Sequence, residues 1–66
     1  MNEKAKRFIR LRQVKDLVGL GRSAIYQKIK SGEFPRPYPL SDNGRAVAWL
    51  SDDVNKWIES RIKAGA

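Results

Sequence analysis

Between Val18 and Arg22 the chain has only Gly19, Leu20 and Gly21 in which to end one helical pattern and begin another. Before that gap, Leu11, Val14, Leu17 and Val18 fall on one side of a helix at about 100° per residue, with Arg12, Gln13, Lys15 and Asp16 outside. After it, Ile25 and Ile29 stand four apart, joined by Ala24, in a second helix from about Arg22 to Ser31. Glycine suits the left-handed conformation that closes a helix, so Gly19 is the expected stop of the first helix and Gly32 of the second. A helix, a short glycine turn and a second helix form the outline of a helix-turn-helix.

The flanking segments extend that outline. "RFIRL" at 7–11 is partly β-like and suits a short strand. "FPRPYPL" places proline at 35, 37 and 39. Alternate N–H groups of an extended chain point the same way, so these prolines strip donors from one edge and leave the other, through Arg36 and Tyr38, free to pair. Asn43-Gly44 within "SDNGR" signals a tight hairpin turn. Leu40 enters it, and "AVAWL" leaves it as a strand in which Val47 and Trp49 alternate with Ala46 and Ala48. Ser51 is the expected cap of a third helix, with Asp52 and Asp53 in the first turn, where the helix dipole favours negative charge. Val54, Trp57, Ile58 and Ile62 form its apolar stripe. The expected fold is mainly α with a small β-hairpin, a winged helix-turn-helix. It forms a single domain over residues 7–63, with 1–6 and 64–66 as flexible ends.

Composition removes whole classes of function. A chain of 66 residues buries only about 60% of the surface its unfolded form exposes, so every large apolar residue matters. With no cysteine and no histidine, it can form no disulfide, and it lacks the usual zinc ligands and the side chain that ordinarily titrates near neutrality. Asp52 and Asp53 are adjacent, but a helix start accounts for them. No catalytic, cofactor-binding or metal-binding residues are expected, and no enzyme activity. No apolar run approaches the ~20 residues that span a bilayer, and residues 1–10 lack the apolar middle of a signal peptide. A cytoplasmic location without a membrane partner follows as the expectation. Fourteen Lys and Arg against seven Asp and Glu leave a net charge of +7, which points to a polyanionic partner, nucleic acid ahead of an anionic membrane surface.

On a helix-turn-helix plan the first helix braces against the DNA backbone and the second enters the major groove. Gln27 can pair with adenine through both amide atoms, and Lys30 suits a guanine edge or a phosphate. Ser23 and Tyr26 can donate to either, and Arg22, near the helix start, suits phosphate. Arg45 at the hairpin tip, with Arg36 and Tyr38 at its base, can meet the adjacent backbone or minor groove. Each has a plainer alternative. Any amphipathic helix has a polar outer face, Tyr26 can cap the core, and hairpin tips are commonly polar. Trp49 and Trp57 lie within apolar patterns and read as core rather than as a stacking platform. Against a general template, Lys15 stands where a small residue is usual and Lys28 where an apolar one is, with Ile29 taking the packing role.

Four blocks of the chain together resemble a family: R-L-x-x-V, G-L-x-R-S-x-I-Y, G-x-F-P-x-P and W-x-x-x-x-V-x-x-W-I, within "RLRQVKDLVGLGRSAIYQKIKSGEFPRP" and "GRAVAWLSDDVNKWIESRI". They resemble the AlpA family of small prophage-encoded regulators, over about residues 7–62. The resemblance implies a fold similar to the DNA-binding part of MerR-type regulators and to phage excisionases. It also implies sequence-specific binding at a mobile element, with Arg22 to Lys30 as recognition helix and the hairpin around Asn43, Gly44 and Arg45 as wing. Gly21 stands where the family commonly has a serine cap, a loss of only a few tenths of a kcal/mol. The wing loop is a residue or two longer than a minimal one. The function expected is a double-stranded-DNA-binding transcriptional regulator of a phage or integrated element. An excisionase-like recombination directionality factor is the alternative within DNA binding, and a basic protein-interaction module the alternative outside it. Expected partners are DNA, further copies of the chain on DNA, and a recombinase or RNA polymerase.

Overall fold

A computed structural model of the chain describes residues 6–65. Its elements run β1 (Phe8–Ile9), α1 (Leu11–Val18), α2 (Arg22–Lys30), β2 (Tyr38–Pro39), β3 (Val47–Leu50) and α3 (Ser51–Gly65). The strands form one small antiparallel sheet in the order β1-β3-β2, with Phe8 opposite Leu50, Ile9 opposite Trp49, Tyr38 opposite Ala48 and Pro39 opposite Val47. The described residues are mainly helical, with three helices around a three-stranded sheet. Among the described residues no helix is long and apolar enough to cross a membrane.

The α1–α2 junction follows the glycines. Gly19 takes the left-handed conformation (φ 74°) and donates its N–H to the Lys15 carbonyl at 2.8 Å, which closes α1. A Cβ at Gly19 would meet nothing within 4 Å, so the glycine is required by backbone conformation and not by space. Gly21 precedes α2 in an extended conformation, and its carbonyl accepts the N–H of Ile25 at 3.1 Å.

Six buried side chains make the core: Ile9, Val14, Ile25, Phe34, Trp49 and Val54. Full burial of residues this size stabilises by about 1.5–3 kcal/mol each, so few of them can be lost. Phe34 was not among the core residues expected from sequence. Its position comes from the turn after α2, where the Lys28 carbonyl accepts from the N–H groups of both Glu33 (2.7 Å) and Phe34 (3.2 Å) and swings the ring inward. There it meets Trp57 edge-on, with ring centres 4.9 Å apart. Both indoles then hold the backbone that follows: Trp57 Nε1 donates to the Glu33 carbonyl at 2.7 Å, and Trp49 Nε1 to the Pro35 carbonyl at 3.0 Å. Trp49 is a core residue and Trp57 a half-buried one packed against the core, so neither is an open stacking platform.

Several expectations need correction. Leu17 and Ile62 lie outside the core, 52% and 65% exposed. At about 100° per residue, Leu11, Val14 and Val18 cluster within one sector of α1, and Leu17 is turned aside from it. Ile62 lies at the rim of the α1–α3 contact, in a surface groove with exposed Leu17. The ladder of β2 begins at Tyr38, so Arg36 takes no part in it; Tyr38 and Pro39 do pair, and β2 is an edge strand as the prolines require. Ala48 is fully buried as well; it stands opposite Tyr38 in the sheet, and the Tyr38 and Phe8 rings lie 6.1 Å apart. Asn43-Gly44 makes no two-residue turn. That turn needs positive φ at both central positions, and here only Gly44 has it (φ 73°). Leu40 donates to the Ala46 carbonyl, and residues 41–45 form a longer loop closed by the Gly44 N–H on the Ser41 carbonyl at 3.0 Å.

α3 starts at Ser51 itself, whose N–H donates to the Arg7 carbonyl at 2.8 Å, with Asp52 and Asp53 in the first turn as expected. It continues through Ala64 and Gly65, beyond the end assigned from sequence. The expectation of flexible ends falls largely on residues 1–5 and 66, which lie outside the described residues.

Candidate nucleic-acid interface

α2 divides cleanly into two faces. Ile25 is fully buried, and Ala24, Lys28 and Ile29 are half-buried. Arg22, Ser23, Tyr26, Gln27 and Lys30 are the exposed set. At about 100° per residue these five fall within an arc of roughly 140°, a continuous polar face whose back is fastened to the core. Lys28 stands outside this face and is held by Glu33 at 3.5 Å, the one ion pair among the described residues.

Tyr26 links that face to the interior. Its ring meets Trp49 edge-on at 6.2 Å between centres, while the Arg22 guanidinium lies 5.6 Å above it. It thus covers the core and remains 36% exposed. The core-capping role considered from sequence is thus met, and the rest of the ring stays accessible.

Beside this face is an open concavity floored by Leu11 and Val47, with Tyr26 and four arginines, Arg10, Arg12, Arg22 and Arg45, around it. The α1 start, the α2 start and the hairpin contribute one cationic surface with no carboxylate in its lining. Arg45 is held at the hairpin by its neighbour: the Asn43 side-chain oxygen accepts the Arg45 N–H at 2.9 Å and the Ser41 hydroxyl at 2.7 Å. Four like charges in one depression raise the local potential and favour a polyanion.

Arg10 and Arg12 are absent from the set expected from sequence, although a signal for them was present. A helix N-terminus favours negative charge. α3 obeys, with Asp52 and Asp53; α1 and α2 have no acidic residue in their first turns and no side-chain cap. Instead α1 has Arg10 just before it and Arg12 in its first turn, α2 begins with Arg22, and both helix starts open onto the same concavity. Of the expected residues, the structure brings Arg22, Tyr26 and Arg45 together there. It places Ser23, Gln27 and Lys30 on the adjoining face of α2. Arg36 is exposed in the segment before β2 and does not line the concavity. Among the described residues no group of three or more carboxylates could hold a metal ion.

A family model described as prophage CP4-57 regulatory protein (AlpA) matches residues 7–62. The chain is also similar to "Uncharacterized protein ORF88" of Enterobacteria phage P4, with 46% identity over 57 residues, which is 86% of this chain and 62% of that protein. The chain therefore spans less than two thirds of the length of that curated relative.

Proposed function

The chain belongs to the AlpA family of prophage regulatory proteins, and we propose that it regulates by binding double-stranded DNA in a sequence-specific manner. In this reading residues 7–63 act as one winged helix-turn-helix domain. The exposed face of α2 enters the major groove, where Gln27 and Lys30 address base edges and Ser23 donates to a base or phosphate. Arg10, Arg12 and Arg22 take backbone phosphates beside the groove, with Tyr26 adding a hydroxyl. The hairpin is the wing, and Arg45 places it on the adjacent backbone. Arg36, which stands away from the concavity, is assigned a flanking phosphate at the hairpin's base.

One observation carries the reading: four arginines from three separate elements converge beside the only face of α2 that the core leaves free. Phosphate contacts of this kind position a protein on the duplex, and base contacts from the inserted helix specify the sequence.

The test is a titration against DNA from the chain's own genomic neighbourhood and against scrambled DNA of equal length, each at two salt concentrations. Tighter binding to the native fragment that persists at the higher salt is the expected result. Footprinting then shows whether the site overlaps a promoter, as a transcriptional regulator requires, or an attachment site, as an excisionase requires. Equal binding to both DNAs, collapsing as salt rises, would reduce the cationic face to a general attraction for polyanions and defeat the reading.

A further inference from the structure

Leu17 and Ile62, which left the core, meet again on the surface. They line one groove with Val18, Trp57, Ile58 and Arg61, where the end of α1 lies against α3. Its border is also set by helix geometry. At about 100° per residue, Gln13 and Asp16 lie beyond Leu17 on α1, and Asn55 and Glu59 lie beyond Ile62 on α3. Gln13, Asp16 and Asn55 line the adjoining depression together with Leu17 and the cationic Arg7. An apolar strip with one guanidinium in it is therefore bordered by two amides and two carboxylates.

This surface carries charge of both signs, unlike the arginine concavity. Two copies of a chain with net charge +7 repel each other wherever cationic faces approach. The repulsion is least where charges of both signs alternate, and there the exposed apolar side chains gain from leaving water. We propose that the Leu17–Ile58–Ile62 groove is a two-fold contact surface for a second copy of this chain, with Arg61 of each copy set against Asp16 of the other. A two-fold contact uses the same patch on both copies, so the patch must contain both members of any charge pair that spans it. This patch does. Within the chain, and among the described residues, neither Asp16 nor Arg61 forms an ion pair.

Size decides how strongly the copies hold. Stable interfaces engage about 20–30 residues a side, and this groove is lined by six. The copies therefore separate in dilute solution and join when held on neighbouring DNA sites, where the contact becomes intramolecular. That setting rests on the DNA-binding reading; the contact itself does not.

The experiment has a DNA-free arm and a DNA arm. Amide spectra of the full chain, followed from micromolar to millimolar concentration, should move at Leu17, Val18, Ile58 and Ile62. The movement should disappear in Asp16→Arg and in Arg61→Asp, and return in the double reversal. The two substituted positions, Asp16 and Arg61, are both exposed, so each variant keeps the core. On a duplex carrying two inverted copies of the footprinted site, the unaltered chain should fill the second site roughly tenfold or more tightly than the first. Asp16→Arg should fill the two independently, with single-site affinity no weaker, and the double reversal should restore the coupling. Concentration-dependent movement elsewhere on the chain, or none at millimolar concentration, overturns the proposal. So does a double reversal no better than either single one. Movement at the groove in a chain that binds no DNA would support the contact and sink only the DNA reading.

Discussion

The Arg22 guanidinium carbon lies 5.6 Å from the centre of the Tyr26 ring, one turn along the same helix. An exposed contact of this kind is worth only about 0.5–1 kcal/mol. Its importance is positional, because the ring is itself braced against buried Trp49. An arginine side chain carries about 2 kcal/mol of rotamer entropy, and a braced ring restrains part of that before any phosphate arrives. Tyr26→Leu should therefore weaken DNA binding partly through Arg22. In a double-mutant cycle, the loss caused by Tyr26→Leu should shrink when Arg22 is already alanine. Fully additive losses would show that the ring acts by itself.

Gln27 and Lys30 occupy the part of α2 farthest from the core contacts, where truncation removes no packing. Gln27→Ala and Lys30→Ala should leave the melting temperature within about a degree or two, since exposed substitutions usually change stability by less than 0.5 kcal/mol. Each should cost roughly 1–3 kcal/mol of discrimination at one base pair. Binding measured against a set of single-base site variants checks this. An unchanged preference in the folded double variant would remove α2 from base readout.

The two glycines of the α1–α2 junction should respond in opposite directions. Gly19 needs positive φ, so Gly19→Ala should destabilise by about 1–2 kcal/mol although there is open space for the methyl group. Gly21 is extended, uncapped and equally open. Gly21→Ser supplies a side-chain acceptor for the first N–H groups of α2 and should stabilise by a few tenths of a kcal/mol. Thermal or urea denaturation of both variants measures the pair, and a stabilised Gly19→Ala would contradict the left-handed stop.

What was legible in the sequence was whatever local chemistry alone decides. Glycine at a helix end, apolar residues at helical spacing and prolines at alternate positions each have one cheap conformation, and α1, α2 and the edge strand β2 follow them. Phe34 was illegible because its burial depends on two N–H groups converging on the Lys28 carbonyl, a feature of the turn's path and not of its composition. Leu17 and Ile62 were misjudged for a related reason. A stripe shows which side of a helix is apolar, but not how much of that side the neighbouring elements cover. The same limit applied to the interface. The α2 residues could be named from the helix alone, whereas Arg10, Arg12 and Arg45 become one surface only after β1, α1 and the hairpin have packed. Asn43-Gly44 shows local signals competing: Asn43 accepts two hydrogen bonds through its side chain and stays out of the left-handed region that the short turn needs.

The backbone of Arg45 is held by the Asn43 side chain at the end of the hairpin. If it meets a phosphate, Arg45→Ala should weaken binding to all sequences alike and lower the slope of log affinity against log salt by about one unit. Asn43→Ala leaves the charge but frees the loop, and should reduce affinity with the slope nearly intact. Salt titrations of both variants separate charge from placement. Equal slopes for Arg45→Ala and the unaltered chain would take the hairpin tip off the DNA.

Arg12 should show stability and binding pulling apart. It lies in the first turn of α1, where the helix dipole presents positive potential, and three other arginines share its depression. Both circumstances disfavour a cation in the free protein. Arg12→Glu reverses them: it places a carboxylate where the dipole favours one and near cations it can attract. A favourable charge at a helix terminus contributes about 0.3–1 kcal/mol at the surface. The melting temperature should therefore rise, most at low ionic strength, where screening is least. The same substitution puts negative charge against a phosphate and should weaken DNA binding by more than Arg12→Ala does. A protein that becomes more stable as it loses its ligand has been carrying unfavourable charge for the ligand's sake. If Arg12→Glu instead lowers the melting temperature and leaves affinity untouched, Arg12 is an ordinary structural residue of α1, and the proposed DNA contact loses one of the four charges on which it rests.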